Sequence, residues 1–232
     1  MSSSTVPETL PLKIQLGSHN LTHKPPKERM TKLIIALFIA LVAVASAFPD
    51  IYGDCGDLSA MRSDFVKESF DITKTIGMWY EVAYHDLAQV KSSCPYYNRA
   101  VDEDGISSHF GLTYSNKNKT VGINTMYQTT DDTGIFTQYA DYPIIKKMNW
   151  PTVVVDVSVD DAGNYDYLIE YSCWQIGKVK YTDIHVGSRS KELSTKQYLK
   201  IENSLRKAGV DLVSMVLIKA DHDDSCSYPI DN

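Results

Sequence analysis

From Trp79 onward the chain alternates between apolar and polar positions in short runs separated by turn residues. Trp79-Tyr80-Glu81-Val82-Ala83-Tyr84 opens the series over 79–86, and a short extended segment follows near Tyr96–Val101. Ile106 to Tyr114 places Ile106, Phe110, Leu112 and Tyr114 on one side, and Thr120 to Thr130 does the same with Val121, Ile123 and Tyr127. Ile135 to Ala140 comes next. Val153, Val155, Val157 and Val159 then fill the odd positions after Pro151. Tyr165 to Tyr171 keeps its odd positions large and apolar, with Asp166 and Glu170 on the other side, and Lys178 to Gly187 is a further run. A period of two predicts half-buried strands, and the β-branched and aromatic content agrees. Turn residues such as Asp131-Asp132-Thr133-Gly134 and Asp160-Asp161-Ala162-Gly163-Asn164 separate the strands. Eight strands with such short links make a hairpin-connected meander, which loses its exposed edges by closing into a barrel. An open sandwich has the same strand count and is the competing architecture.

The period changes near the end. Tyr198, Ile201, Leu205 and Ala208 recur at helical spacing between Ser194, an N-cap with Gln197 three residues on, and the stop residue Gly209. A one-sided helix of this kind packs its apolar stripe on the outer wall of the barrel. Val210 to Ile218 reads as one more strand.

The segment before the strands has a different character. Met30-Thr31-Lys32, the charge-free run Leu33–Ala45 and the small residues Ala45-Ser46-Ala47 have the layout of a secretory signal peptide. The run is short for a span of about 20 residues. The reading is therefore an uncertain extension at 1–29, a signal peptide at 30–47, and one domain from Phe48 to Asn232, with Met30 favoured as the start. Without five basic residues (Lys13, Lys24, Lys27, Arg29, Lys32) and two acidic ones (Glu8, Glu28), that domain keeps 18 basic and 27 acidic residues, a net charge of −9. Such a surface repels a nucleic-acid backbone.

All four cysteines, Cys55, Cys94, Cys173 and Cys226, lie in the domain and none has CxxC spacing. After a secretion signal this predicts two disulfides, with three possible pairings, rather than a metal site. Asn118-Lys119-Thr120 is a glycosylation sequon in a polar turn. Asn20 belongs to a second sequon within the extension.

Several of these features together resemble the lipocalin family, and more closely its apolipoprotein-D-like branch. Gly77-Met78-Trp79-Tyr80 is similar to its first motif. Leu168 to Cys173 is similar to its seventh strand, and Ile184-His185-Val186-Gly187-Ser188-Arg189 to its eighth strand running into the third-motif arginine. The helix and Cys226 follow in family order. The second motif departs from the pattern: Val159 to Tyr165 keeps an acid and a tyrosine, with altered spacing and no threonine.

The resemblance implies an eight-stranded antiparallel up-and-down β-barrel with a C-terminal helix outside. It also implies a structural pair, Trp79 and Arg189, closing one end, and disulfides Cys55–Cys173 and Cys94–Cys226. The implied function is secreted, extracellular carriage of a small hydrophobic ligand (a lipid, sterol, retinoid, carotenoid or bilin), with a membrane receptor as a further partner. No cofactor is implied beyond that ligand. Inward parity in such a barrel nominates Phe110, Leu112, Ile123, Tyr127, Val155, Val157, Tyr167 and Ile169 as cavity wall. The 15 tyrosines suit both strands and a pocket that needs a hydroxyl partner.

Two other functions compete. A lipocalin-fold enzyme or isomerase would use acid–base residues such as Asp183 and His185, which alternate on one strand face; no nucleophile elbow or phosphate loop is present, and the cysteines are committed to disulfides. An interaction protein of protease-inhibitor type would use its loops. Asp221-His222-Asp223-Asp224 has the composition of a weak metal site but reads as a solvated tail turn.

Overall fold

The computed structural model describes residues 54–103, 105–114, 119–140 and 148–229. The extension, the signal segment and Asn118 lie outside these.

Eight antiparallel strands follow in chain order: β1 (Gly77–His85), β2 (Ser92–Asp102), β3 (Gly105–Tyr114), β4 (Lys119–Thr129), β5 (Ile135–Ala140), β6 (Met148–Val159), β7 (Tyr165–Ile176) and β8 (Val179–Ser188). Each pairs with its chain neighbour, and β1 pairs with both β2 and β8. The sheet therefore closes, and the open sandwich is excluded. β6 begins earlier than the valine run suggests and takes in Pro151, opposite Thr137 of β5.

The expected last strand is much shorter than 210–218. Only Ile218–Lys219 (β9) pairs with β1. Asp211 caps the turn ahead of it, accepting from Val213 N at 3.0 Å, and Val213 and Val216 are exposed. A local side-chain-to-backbone bond of this kind offers the chain an alternative to the ladder.

Ser63 caps α1 (Asp64–Ser69), accepting from Val66 N. Val66 is fully buried in a cluster with Trp79, Phe136, Val154, Val157, Tyr165 and Leu168, so α1 covers one end of the barrel. The second helix, α2 (Thr195–Lys207), carries the expected capping box of Ser194 and Gln197, and Gly209 follows it at φ +85°. Its buried Ile201 and Leu205 lie against Val153, Val155, Tyr167, Ile169, Ile184 and Val186 on the outer wall. The Tyr198 hydroxyl donates to Val82 O at 3.0 Å, and Ser204 Oγ donates to Asp156 at 2.5 Å.

Cys55 is bonded to Cys173 and Cys94 to Cys226, the pairing the resemblance implies. The first ties the N-terminal segment to β7. The second holds the C-terminal tail against β2, where Tyr228 packs on Tyr80 and Tyr96. His222 is part of this tail and not a solvated residue: its Nε2–H donates to Glu81 O at 2.9 Å, and Nδ1 accepts from the Tyr228 hydroxyl at 2.7 Å. Among the described residues no cluster of His, Cys, Asp and Glu has the makings of a metal site.

Candidate functional site

One end of the barrel is sealed. Trp79 has no exposed surface, and its Nε1–H donates to Thr75 O at 2.7 Å. The Arg189 guanidinium lies 3.7 Å from the indole centroid and donates to the carbonyls of Met78, Lys74 and Ile76. Three carbonyls and a π-face hold the guanidinium on its inner side while its outer side stays exposed, and this partial burial holds its pKa below the ordinary arginine value. Tyr97 stacks beside Trp79, with its hydroxyl over Gly187. A Cβ at position 187 would sit 1.6 Å from that oxygen, so only glycine admits the ring there.

Above this floor lies a cavity of about 600 Å³, within the usual range for a small-ligand site. Phe110 and Leu112 of β3, Val121 and Ile123 of β4, and Trp150 and Trp174 supply its apolar walls, and Tyr127 stands lower down. The turn Leu87–Gln89 crosses the mouth, fastened by the Tyr114 hydroxyl donating to Ala88 O at 2.6 Å and by Tyr181 donating to Asp86. Burial, then the Asp86 charge, raises the Tyr181 phenol well above its ordinary value.

Of the eight nominated wall residues, Phe110, Leu112, Ile123 and Tyr127 border the cavity. The other four do not: the inward parity assigned to Val155, Tyr167 and Ile169 is corrected, whereas Val157 is inward but away from the cavity. Val155, Tyr167 and Ile169 face outward beneath α2, while Leu168, Glu170 and Trp174 of β7 point inward. The most apolar face of β7 is thus the one under the helix. A shift in register between Val154 and Asp156 leaves Val155 and Asp156 both turned outward. Val157 consequently returns to the inside, but in the floor cluster below the cavity.

The interior also holds two buried ionic groups. Arg99 donates to Glu170 Oε2 at 2.6 Å and to the Tyr127 hydroxyl at 3.1 Å, with its guanidinium 4.7 and 4.5 Å from the Tyr97 and Tyr127 ring centroids. Arg99 and Glu170 are 4% and 2% exposed, which makes this a desolvated pair. Burial followed by the nearby Glu170 charge pushes the Tyr127 phenol up to about 12.

Beside this pair, His185 Nδ1 is bonded to Glu81, and its Nε2 lies 3.7 Å from Asp183. Gln89 Nε2 donates weakly to Glu81 Oε1 at 3.4 Å. Burial lowers the imidazole pKa, but Glu81 and then Asp183 outweigh it and hold His185 well above its ordinary range. Burial pushes the Glu81 carboxyl up, and His185 only partly offsets this. Asp183 and His185 do share one inward face, as their spacing suggests. Glu81, Arg99 and Glu170 were not singled out from the sequence. The available signal was parity: Glu81 shares its face with Trp79, and Arg99 with Tyr97.

No family model matches the chain, and no curated protein matches it in sequence. Solved structures of lipocalins share its fold. Lobster apocrustacyanin A1 superposes with a TM-score of 0.59 at 16% identity, covering 78% of this chain and 94% of its own. Apocrustacyanin C1 gives 0.58 at 17% identity with the same coverage. Insecticyanin from the tobacco hornworm Manduca sexta gives 0.57 at 19% identity, covering 77% of this chain and 92% of its own. The barrel is therefore lipocalin-like in architecture.

Proposed function

We propose that the protein is a secreted carrier that holds one small, largely apolar molecule inside its barrel. The observation that carries this reading is the hollow of about 600 Å³ walled by Phe110, Leu112, Val121, Ile123, Trp150 and Trp174 and stoppered below by Trp79 and Arg189. Small barrels are commonly filled by their own side chains, so a void of drug-like size with an aromatic lining suits a guest. The two disulfides suit an oxidising compartment, which supports secretion together with the signal-like segment at 30–47. The cysteine order, with Cys173 in the last third of β7 and Cys226 in the tail, supports placement near the apolipoprotein-D-like branch.

An acid–base enzyme is the second reading, favoured by His185 between Glu81 and Asp183 at the cavity wall. It is the weaker one, because both ring nitrogens already face carboxylates and neither is turned free toward a guest.

Trp150 and Trp174 make the carrier reading testable by fluorescence. A retinoid, a sterol, a fatty acid, a carotenoid and a bilin, titrated separately, are expected to include at least one that quenches emission saturably at one molecule per barrel. An absence of saturable quenching across the whole set contradicts the reading. Turnover of a bound compound that disappears in H185Q would favour the enzyme instead.

A further inference from the structure

The polar side chains of the cavity are unevenly matched. Around His185 stand four buried acceptors without a hydrogen-bond partner among the described residues, Glu81 Oε2, Glu170 Oε1, Asp183 Oδ1 and Gln89 Oε1, against two unpartnered donors in the same interior, the Tyr97 hydroxyl and Arg99 Nε. Glu170, Asp183 and Gln89 border the cavity; Glu170 and Gln89 are almost wholly buried, and the Asp183 side chain keeps 12% of its surface exposed. They share one wall. Glu170 is directly opposite His185 across the β7–β8 ladder, and Asp183 is diagonal to Glu170, opposite Ser172. Gln89 reaches down from the mouth to within 3.5 Å of His185 Nδ1.

The charges do not balance either. Arg99 answers Glu170, and His185 answers Glu81 from inside the wall. Asp86, at the mouth, takes the Tyr181 hydroxyl and the Ala88 amide. Asp183 holds Oδ2 3.7 Å from His185 Nε2, its Oδ1 is buried without a partner, and its side chain, 12% exposed, borders the cavity. Of these acids it has the loosest partner.

We propose that the guest is an amphipathic amine whose protonated nitrogen sits against Asp183, with its apolar body between β3 and β4. The proposal deepens the carrier reading and rests on it. An ammonium group offers three donors and no acceptor, which matches a wall that offers acceptors in surplus. A hydrocarbon guest would cover the exposed part of the Asp183 carboxylate and offer it no donor, which is costly for an acceptor and more so for a charged one. A carboxylate or phosphate head would meet like charge there. Around the apolar half of the cavity, at Phe110, Leu112, Val121 and Ile123, none of the described β3 and β4 residues that border it is charged.

The test uses three probes with one aromatic body: naphthylethylamine, naphthylethanol and naphthylacetic acid, each titrated calorimetrically into the full chain near neutral pH. Naphthylethylamine is expected to bind about tenfold or more tighter than naphthylethanol, since a hydrogen bond to a charged group is worth roughly 1.5–3 kcal/mol, and the acid to bind weakest. D183N is expected to bring the amine to within about threefold of the alcohol. Equal affinities, a preference for the acid, or an amine preference that survives in D183N overturns the head-group assignment and leaves the carrier reading standing. The wild-type series decides the matter even if D183N fails to fold. Failure of all three probes to bind overturns the head-group assignment, and the carrier reading then stands or falls on the fluorescence titrations.

Discussion

R99M is expected to destabilise the protein by about 3–5 kcal/mol, the cost of removing one member of a buried ion pair. The guanidinium it deletes is 4% exposed, bonded to Glu170 at 2.6 Å and lodged between the Tyr97 and Tyr127 rings. Methionine fills much of the volume but answers none of the charge, so the Glu170 carboxyl is left buried without its partner. R99K is not a conservative alternative, because a compact ammonium cannot lie flat between two rings and bond sideways to a carboxylate. The double variant R99M/E170L removes both charges and is expected to recover most of the loss, since replacing a buried pair by hydrophobic groups is often close to neutral. Urea unfolding followed by circular dichroism measures all three proteins. An R99M protein within about 1 kcal/mol of wild type would show that the pair is solvated or worth little, against its geometry.

W79A is expected to cost about 3–5 kcal/mol by the same measurement, the usual range for a buried large aromatic cut to alanine. Trp79 has no solvent exposure, stacks with Tyr97 and lies under Arg189. Its loss leaves Thr75 O without the indole donor and opens a void at the sealed end. Arg189 keeps its three carbonyl partners but loses the ring that screens it from below. W79F retains part of the stack without the N–H and is expected to fall between. A W79A protein as stable as wild type would mean that the floor is held by α1 and Val66 alone.

The strands were legible because one face of each is more apolar than the other; their number and short links fit a closed barrel or an open sandwich, and the pairing of β1 with both β2 and β8 decides between them. The direction of the faces was not. On β7 the odd positions Tyr167, Ile169 and Tyr171 are apolar, and in a lone sheet that face would be the interior. Here α2 and the N-terminal segment bury the outer wall as well. With both sides buried, apolarity marks the drier side, and the lumen side carries Glu170, Ser172 and Trp174. The bulge at Val155 and Asp156 adds a second parity change that no local pattern announces. The ionic groups escaped notice for a related reason. Arg99 and Glu170 are 71 residues apart, and Glu81 and His185 are 104 apart. A charged residue inside a strand looks like a solvated one until its partner strand is known. The floor pair and the disulfides were accessible only through family resemblance, since spacing allowed three cysteine pairings.

The central claim is that guests enter the barrel and do not lodge under the helix. Methyl-labelled protein, titrated with naphthylethanol or with any compound that quenches Trp150 and Trp174, separates these by nuclear magnetic resonance. The account predicts shifts at the methyl groups of Leu112, Val121 and Ile123, with Val155, Ile169 and Ile184 unmoved. Shifts confined to the helix-side methyls, or none at saturating ligand, would contradict it.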